Sequence, residues 1–501
     1  MPHNGLSRLR NMSGQITDDL DFRRNLVQFS LIEKKFLSNT ISDFPYAMNG
    51  GVPLSWSETS KTLYLDSSDK HTLIVGSTGS QKSRLFVMPT VKVLGYAGES
   101  MIITDPKGEI YKRTSGELKE LGYDIRVLNF RSPYESTTWN PLAEPYKYFL
   151  NGNIAKSCEL IADIAEIICR SEASLKDPYW DTAASDFCYG LILFLFMYCK
   201  KNNVNPNMVN MSNLVCLRRS MFKGREPVSS FWIYAEADKE YGSMICAALS
   251  GTFQNAENTR ANILTHFDSK IRSFAARQDL LDMLSSNNLS LENVGQIKTA
   301  IYLIIPDEKT SCHNLVSMFV KQSYEYFIEQ TQCLENNVMP VRINYVLDEF
   351  SSLPKIKDFP AMITAARSRN IRFCLIVQSK YQLLRNYELD AETIRSNCLN
   401  WIFITSRELD FLKEISDLCG NRSNDTPVLS ISELQCLDRK KGEVLILSDR
   451  MGPYLTFMPS IDVYDNMKYE TLPFEKLLDE KLEPLQFIIP ETTKPKDIFD
   501  W

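Results

Sequence analysis

The stretch His71-Thr72-Leu73-Ile74-Val75-Gly76-Ser77-Thr78-Gly79-Ser80-Gln81-Lys82-Ser83 decides how this chain is read. An apolar, β-branched run, Thr72–Val75, feeds a loop of Gly and Ser ending in Lys82-Ser83, and the apolar-periodic Arg84–Val93 follows. Strand, loop and helix in that order are what a phosphate-binding loop needs. Successive backbone N–H groups and the helix start cradle phosphate oxygens, the lysine reaches the β- and γ-phosphates, and the hydroxyl holds magnesium. The pattern G-x-x-x-x-G-K-[ST] holds from Gly76 to Ser83 except at Gln81, where glycine is expected and a side chain stands where backbone should approach phosphate. An ordinary strand-to-helix turn carries similar residues, so a second signal is required.

That signal is Ile343-Asn344-Tyr345-Val346-Leu347-Asp348-Glu349, an apolar strand ending in two adjacent carboxylates. In a Walker B arrangement the first carboxylate coordinates magnesium and the second polarises the attacking water. A strand end can also carry paired carboxylates simply because it enters a solvated loop. The two signals together point to an ATPase that uses ATP and Mg2+.

Around them, Met101–Thr104, Ile301–Ile305, Phe373–Val377, Ile125–Leu128, Trp401–Thr405 and Val444–Leu447 repeat the strand texture, which predicts an α/β fold with a central, mostly parallel sheet of seven to nine strands. Between about 145 and 249 strand-like runs vanish. Ile154–Cys169 sets Ile154, Cys158, Ile161, Ala165 and Ile168 on one helical stripe with Lys156, Glu159, Asp163 and Glu166 opposite, so an all-α insertion is expected there. The expected organisation is a mixed helix-and-loop segment (1–50), a first part of the nucleotide-binding domain (51–144), the all-α insertion (145–249), the second part (250–470) and an extended tail (471–501) with Pro473, Pro484, Pro490 and Pro495.

A chain of 501 residues, 44% of them apolar, has enough material for several buried cores and is not disordered. With 56 Lys+Arg against 62 Asp+Glu the net charge is −6, which excludes a globally basic surface for duplex DNA, so any nucleic-acid contact must be local. The twelve cysteines form no CxxC pair and have four histidines beside them, which argues for reduced thiols and against a zinc knuckle or disulfide ladder. Met1–Asp21 lacks the apolar core of a signal peptide, and Phe187–Cys199 is shorter than the roughly 18 to 20 residues that span a bilayer, so it is expected to be a buried helix.

The ordered series of motifs resembles the type IV coupling proteins of conjugation and secretion systems. It comprises His71-Thr72-Leu73-Ile74-Val75-Gly76, Thr104-Asp105-Pro106-Lys107-Gly108-Glu109, Asn140-Pro141-Leu142, Asp177-Pro178-Tyr179-Trp180, Leu347-Asp348-Glu349-Phe350, Ala366-Arg367-Ser368-Arg369 and Val377-Gln378-Ser379. The resemblance runs from about Gly50 to Pro459. It implies a RecA-like ATPase with an inserted all-α domain, assembled as a homo-hexamer, that moves single-stranded DNA with its relaxase, or effector proteins, toward a secretion channel. It assigns Lys82 and Ser83 to phosphate and magnesium, Asp348 and Glu349 to the Walker B pair, Gln378 to sensing the γ-phosphate and Arg367 to a finger reaching the adjacent subunit. A planar guanidinium suits the charge that develops on a transferred phosphoryl group. A solvated arginine on an amphipathic helix is the alternative for Arg367.

Asp105, at the end of a strand expected to lie beside the phosphate-loop strand, is a candidate for the magnesium shell, although Pro-Lys-Gly after a strand is also ordinary turn chemistry. Lys355, Lys357 and Lys380 follow strands and are candidates for the path of the cargo. The family's membrane-spanning N-terminal segment is not found in this sequence, so a cytoplasmic protein reaching membrane channel components through a partner is expected. A nucleotide-regulated docking receptor with little hydrolysis and a DNA pump outside secretion remain as alternatives.

Overall fold

The computed structural model describes residues 23, 26–30, 34–37, 50–169, 178–449, 451–463, 465, 469–475 and 483–489. Two compact units divide the chain: Met1–Val127, Leu291–Asp307 and Ser323–Pro473 form one, and Leu128–Ser290, Glu308–Gln322 and Phe474–Trp501 the other.

In the first unit β1 (Val27–Ser30), β2 (Lys35–Leu37), β3 (Val52–Ser57) and β4 (Thr62–Asp66) form an antiparallel sheet in the order β2-β1-β4-β3. Residues 1–50 are therefore not only helix and loop. Val27 and Phe29 alternate with polar residues and pair with Leu65 and Leu63, the period-two pattern of a strand with one buried face, too short here to stand out in the sequence.

The larger sheet takes β5 (His71–Gly76), β6 (Ser100–Asp105) and β7 (Asp124–Asn129) from the chain before the helical unit, whose own hairpin is β8 (Phe222–Lys223) and β9 (Glu226–Pro227). After it come β10 (Thr299–Ile304), β11 (Ile343–Leu347), β12 (Ile371–Val377), β13 (Cys398–Thr405), β14 (Glu443–Ser448) and β15 (Tyr454–Phe457). The order is β15-β14-β13-β5-β12-β11-β6-β10-β7. Neighbours from β13 to β10 run parallel, and β14 and β15 are antiparallel. Each apolar run read as a strand lies in one of these nine. The residues of β5, β6, β10, β11 and β12 are buried throughout, as a sheet covered on both faces requires. One expectation is corrected: β6 is not beside β5, because β12 and β11 stand between them.

The C-terminal part of this unit crosses the helices Met88–Ala97 and Glu109–Glu120. Arg84 pairs with Asp462 at 2.8 Å, Lys92 with Glu117 and Asp465, and the Leu472 N–H donates to the Ser115 hydroxyl at 3.3 Å. At the opposite end of the sheet from the phosphate loop, Glu99 lies between the guanidiniums of Arg342 and Arg372, and Asn344 bridges Arg372 to Glu99, all of them buried.

The second unit is helical. Tyr179–Lys201 is its central helix, with Phe187 packed edge-on against Phe267 and Gly190 leaving room for Leu249, which a Cβ would meet at 2.6 Å. By length and composition alone this helix could cross a membrane, but Phe187, Cys188 and Gly190 through Cys199 are buried inside the unit. The helix Ile154–Cys169 forms with Ile161, Ala165 and Ile168 of the expected stripe buried, but Asp163 of the expected polar face is buried too, 3.6 Å from Lys321; this helix lies against Tyr179–Lys201. So does Glu257–Ala275, which carries the helical unit past the expected limit of 249 to Ser290. Asp177 of the motif 177–180 lies outside the described residues. In the tail, described residues 471–475 and 483–489 have no regular secondary structure, and Leu485 and Ile488 donate their N–H groups to Asn213 and to the Tyr198 hydroxyl.

His71 opens β5 fully buried. Its Nδ1 accepts the Phe373 N–H at 3.0 Å, so Nε2–H donates to the Ile363 carbonyl at 2.8 Å. Burial first, and then the charges of Arg367 and Arg372, depress its pKa to about 4. The folded state thus binds fewer protons than the unfolded chain between about 4 and 6.5. Stability from this group is complete above 6.5 and falls as pH drops toward 4, by about 3 kcal/mol in all. Denaturation midpoints measured across this range should decline with acid, and less steeply in His71→Ala; equal slopes would contradict the buried neutral imidazole.

Candidate nucleotide site

β5 delivers the chain to Gly76, where an added Cβ would stand 2.5 Å from the Ser80 hydroxyl, so the turn has no room for a side chain. Ser77 N–H donates to the Thr405 carbonyl of β13 and Ser80 N–H to Ser77, which closes the loop. Gly79 takes φ +77° and Gln81 φ +62°. The left-handed backbone that glycine would adopt freely is therefore present at Gln81, whose side chain points to solvent. Arg84 and Leu85 donate their N–H groups to the Gln81 carbonyl, and the first turn, Ser83–Val87, is wide, with Met88 N–H reaching Ser83. Pro89, which has no N–H for the regular ladder, follows immediately.

The helix start has no side-chain cap and no acidic residue in its first turn, so its partial positive charge is open to an anion. The Ser80 hydroxyl is buried in the loop without a hydrogen-bond partner. Such a cradle fits a polyphosphate. Lys82 is buried, donates to the Gly76 carbonyl at 2.6 Å and lies 3.9 Å from Glu349. Burial lowers its pKa, against the pull of Glu349 and Asp348.

Opposite the loop, Asp348 Oδ2 accepts from the Ser83 hydroxyl at 2.8 Å, the pair of oxygens a magnesium ion would join. Burial, followed by the like charge of Glu349, pushes the Asp348 pKa up to about 7; the Ser83 hydrogen bond and Lys82 work the other way. Glu349 sits at φ +56° with its N–H on Asp348 Oδ1. Gln378, at the end of β12 between β5 and β11, joins the two sides: Thr78 Oγ1–H donates to its Oε1 at 3.0 Å and its Nε2–H donates to Glu349 at 2.7 Å. The Thr78 contact orients the Gln378 amide. Sequence reasoning missed this link, and also Thr104, whose hydroxyl holds the Asp348 carbonyl at 2.8 Å across the β6–β11 pair.

Two candidates stand apart from this group. Asp105 is buried and its carboxylate accepts the Tyr111 N–H at 2.8 Å, so it organises the turn into the helix Glu109–Glu120. Burial raises its pKa to about 6 against those backbone N–H groups, and its charge acts on Asp348 without a hydrogen bond to it. Arg367 lies before β12 begins, at the other end of a seven-residue strand, roughly 20 Å from Gln378. There it makes a two-pronged pair with Asp69, at 3.0 and 3.1 Å. The lysines proposed for the cargo path are not free cations: Lys355 pairs with Asp390, Lys380 with Glu414, and Lys357 has its own interactions.

A β5–β12–β11 core with a phosphate loop on the first strand and adjacent carboxylates on the third defines a RecA-like P-loop protein. The chain belongs to the family of type IV secretory system conjugative DNA transfer proteins, whose family model matches residues 28–441. Solved structures of the conjugative coupling protein TrwB share the fold. The plasmid coupling protein TrwB in complex with the non-hydrolysable GTP analogue GDPNP superposes with a TM-score of 0.58 at 14% identity, over 92% of this chain and 98% of that one. TrwB with ADP and Mg2+ gives 0.55 at 15% identity over 81% and 89%, and a trigonal form with sulphate 0.57 at 14% over 82% and 89%. No curated protein matches this chain.

Because Gln81 already holds a left-handed backbone, Gln81→Gly should keep the loop and change stability by no more than about 1 kcal/mol, relief of strain being offset by a freer unfolded chain. Removing the side chain beside the phosphates should tighten ATP binding a few-fold. Titration of both proteins with a fluorescent ATP analogue checks this; equal or weaker binding by the glycine variant contradicts it.

Proposed function

We propose that this chain is a coupling ATPase that binds ATP with Mg2+ and uses hydrolysis to recruit and help move single-stranded DNA, with its relaxase or with effector proteins, to a type IV secretion channel. The observation that carries the reading is the contact of Ser83 with Asp348 beside Lys82, with Gln378 linking Thr78 to Glu349. TrwB has been solved with the ATP analogue ADPNP and with ADP and Mg2+, which supports the choice of nucleotide.

The helix start and Lys82 bind the β- and γ-phosphates. Magnesium bound by Ser83 and Asp348 would neutralise charge on the phosphate oxygens. Glu349 orients the attacking water and takes its proton, and the Gln378 amide, held by Thr78 and Glu349, stands where a γ-phosphate would be sensed. Asp105 supports the site through the Asp348 side of the sheet. Arg367 cannot reach the nucleotide of its own chain, which suits a role on the nucleotide of a neighbour in a homo-hexamer.

Glu349→Gln should keep nucleotide bound and slow turnover by roughly 100-fold or more, since the water loses its base while Asp348 stays. Lys82→Ala should lose both binding and turnover. Steady-state hydrolysis with and without single-stranded DNA measures this, and unchanged turnover in both variants would rule out the enzymatic reading.

Mixing Arg367→Ala subunits with Lys82→Ala subunits should restore part of the hydrolysis, because an intact finger then meets an intact site at mixed interfaces. Absence of complementation at concentrations where the chain assembles would place Arg367 outside catalysis.

A further inference from the structure

The helical unit contains a cleft of about 460 Å³ between the helices Met211–Met221 and Glu257–Ala275, closed at one end by the β8–β9 hairpin. At its floor Arg218, itself more than nine-tenths buried, makes a two-pronged pair with Asp268 at 2.8 and 3.1 Å and lies over the rings of Phe187 and Phe222. That pair is electrically neutral. Phe222 and Ile271 lie beside it and are buried as well.

The rim is different. Arg219 and Arg272 line the cleft, are exposed, and make no side-chain hydrogen bond or ion pair with a described residue. The hairpin adds Lys223 and Arg225, exposed and equally unpaired. It is fixed in place: Gly224 at φ +67° makes its turn, and Arg260 holds both the Arg225 carbonyl at 2.9 Å and the Glu226 carboxylate at 3.3 Å. Two unpaired cations thus line a preformed cleft, and two more stand on the hairpin at its end, in a chain whose net charge is −6. An acidic molecule is repelled by most of this surface and drawn here.

We propose that this cleft docks an acidic segment of a partner protein, with carboxylates on the forks of Arg219 and Arg272. A guanidinium takes a carboxylate through two parallel hydrogen bonds, which fixes direction as well as charge. A nucleic-acid strand would use the same cations but gains most from stacking its bases on exposed rings. The rings here, Phe187 and Phe222, are buried under Arg218 and offer no face for stacking, whereas carboxylates need only the exposed guanidinium forks at the rim. The inference is independent of nucleotide hydrolysis.

The test uses the full chain and a short fluorescein-labelled peptide repeating Glu-Leu-Glu-Ser, followed by anisotropy at low salt. Controls are the same peptide with Gln for Glu and a labelled oligothymidylate. The acidic peptide should bind, the Gln peptide should not, and added salt should weaken binding. The double variants Arg219→Gln with Arg272→Gln and Arg219→Glu with Arg272→Glu should each lose about tenfold or more in affinity. Exposed side chains are being changed, so melting temperature and ATP binding should stay as in wild type. Failure of the acidic peptide to bind, or equal affinity in wild type and both double variants, overturns the proposal. So does oligothymidylate binding that exceeds peptide binding and is lost in the same variants, which would make the surface one for nucleic acid.

Discussion

The Ser83 hydroxyl reaches the Asp348 carboxylate because β5 and β11 run parallel with one strand between them, so that both chains leave the sheet at the same end. At roughly 4.8 Å per strand spacing, two intervals separate the backbones by about 10 Å, a gap that a serine and an aspartate close from opposite sides. The rest of the site depends on that strand order. Gln378 ends β12, so it can only project between the phosphate loop and the carboxylates, and Thr78 and Glu349 are the groups it finds there.

What fixes the register lies at the opposite end of these strands. Arg372 stands opposite Asn344 in the β11–β12 register and shares Glu99 with Arg342 under complete burial. Such a cluster contributes little net stability when whole, but losing one member strands a charge in the interior, at a cost of roughly 3–5 kcal/mol. A slip of one residue along β12 would do the same and would also move Gln378 off the site. The network acts as a register pin for the groups at the opposite end of the strands.

Much of this was legible in the sequence where the signal is local. Apolar runs marked eight of the strands in the large sheet, since burial on both faces demands continuous hydrophobicity. Lys82-Ser83 and Asp348-Glu349 were found because their chemistry needs those residues at strand ends. Strand order was not legible: β6 was placed beside β5, and nothing in Ser100–Asp105 encodes that β12 and β11 intervene. The short β1 and β2 were hidden because pairing, of β1 with β4 and of β2 with β1, makes them strands, not propensity. Gln81 looked like a defect by residue type, yet its backbone follows the path a glycine would take. The helical unit outran its expected end because the amphipathic pattern of Glu257–Ala275 does not say which core it faces.

The pairing of Arg367 with Asp69 has a further consequence. Both groups are more than a third exposed, and an ion pair in that setting is worth about 0–1 kcal/mol. Asp69 is therefore a parking place and not a lock. It keeps the long side chain extended in one direction, so part of its rotamer entropy is already spent, yet it yields to any stronger anion that arrives. An anion brought to this edge of the sheet meets a guanidinium already aimed, and the carboxylate it displaces returns to water at almost no expense.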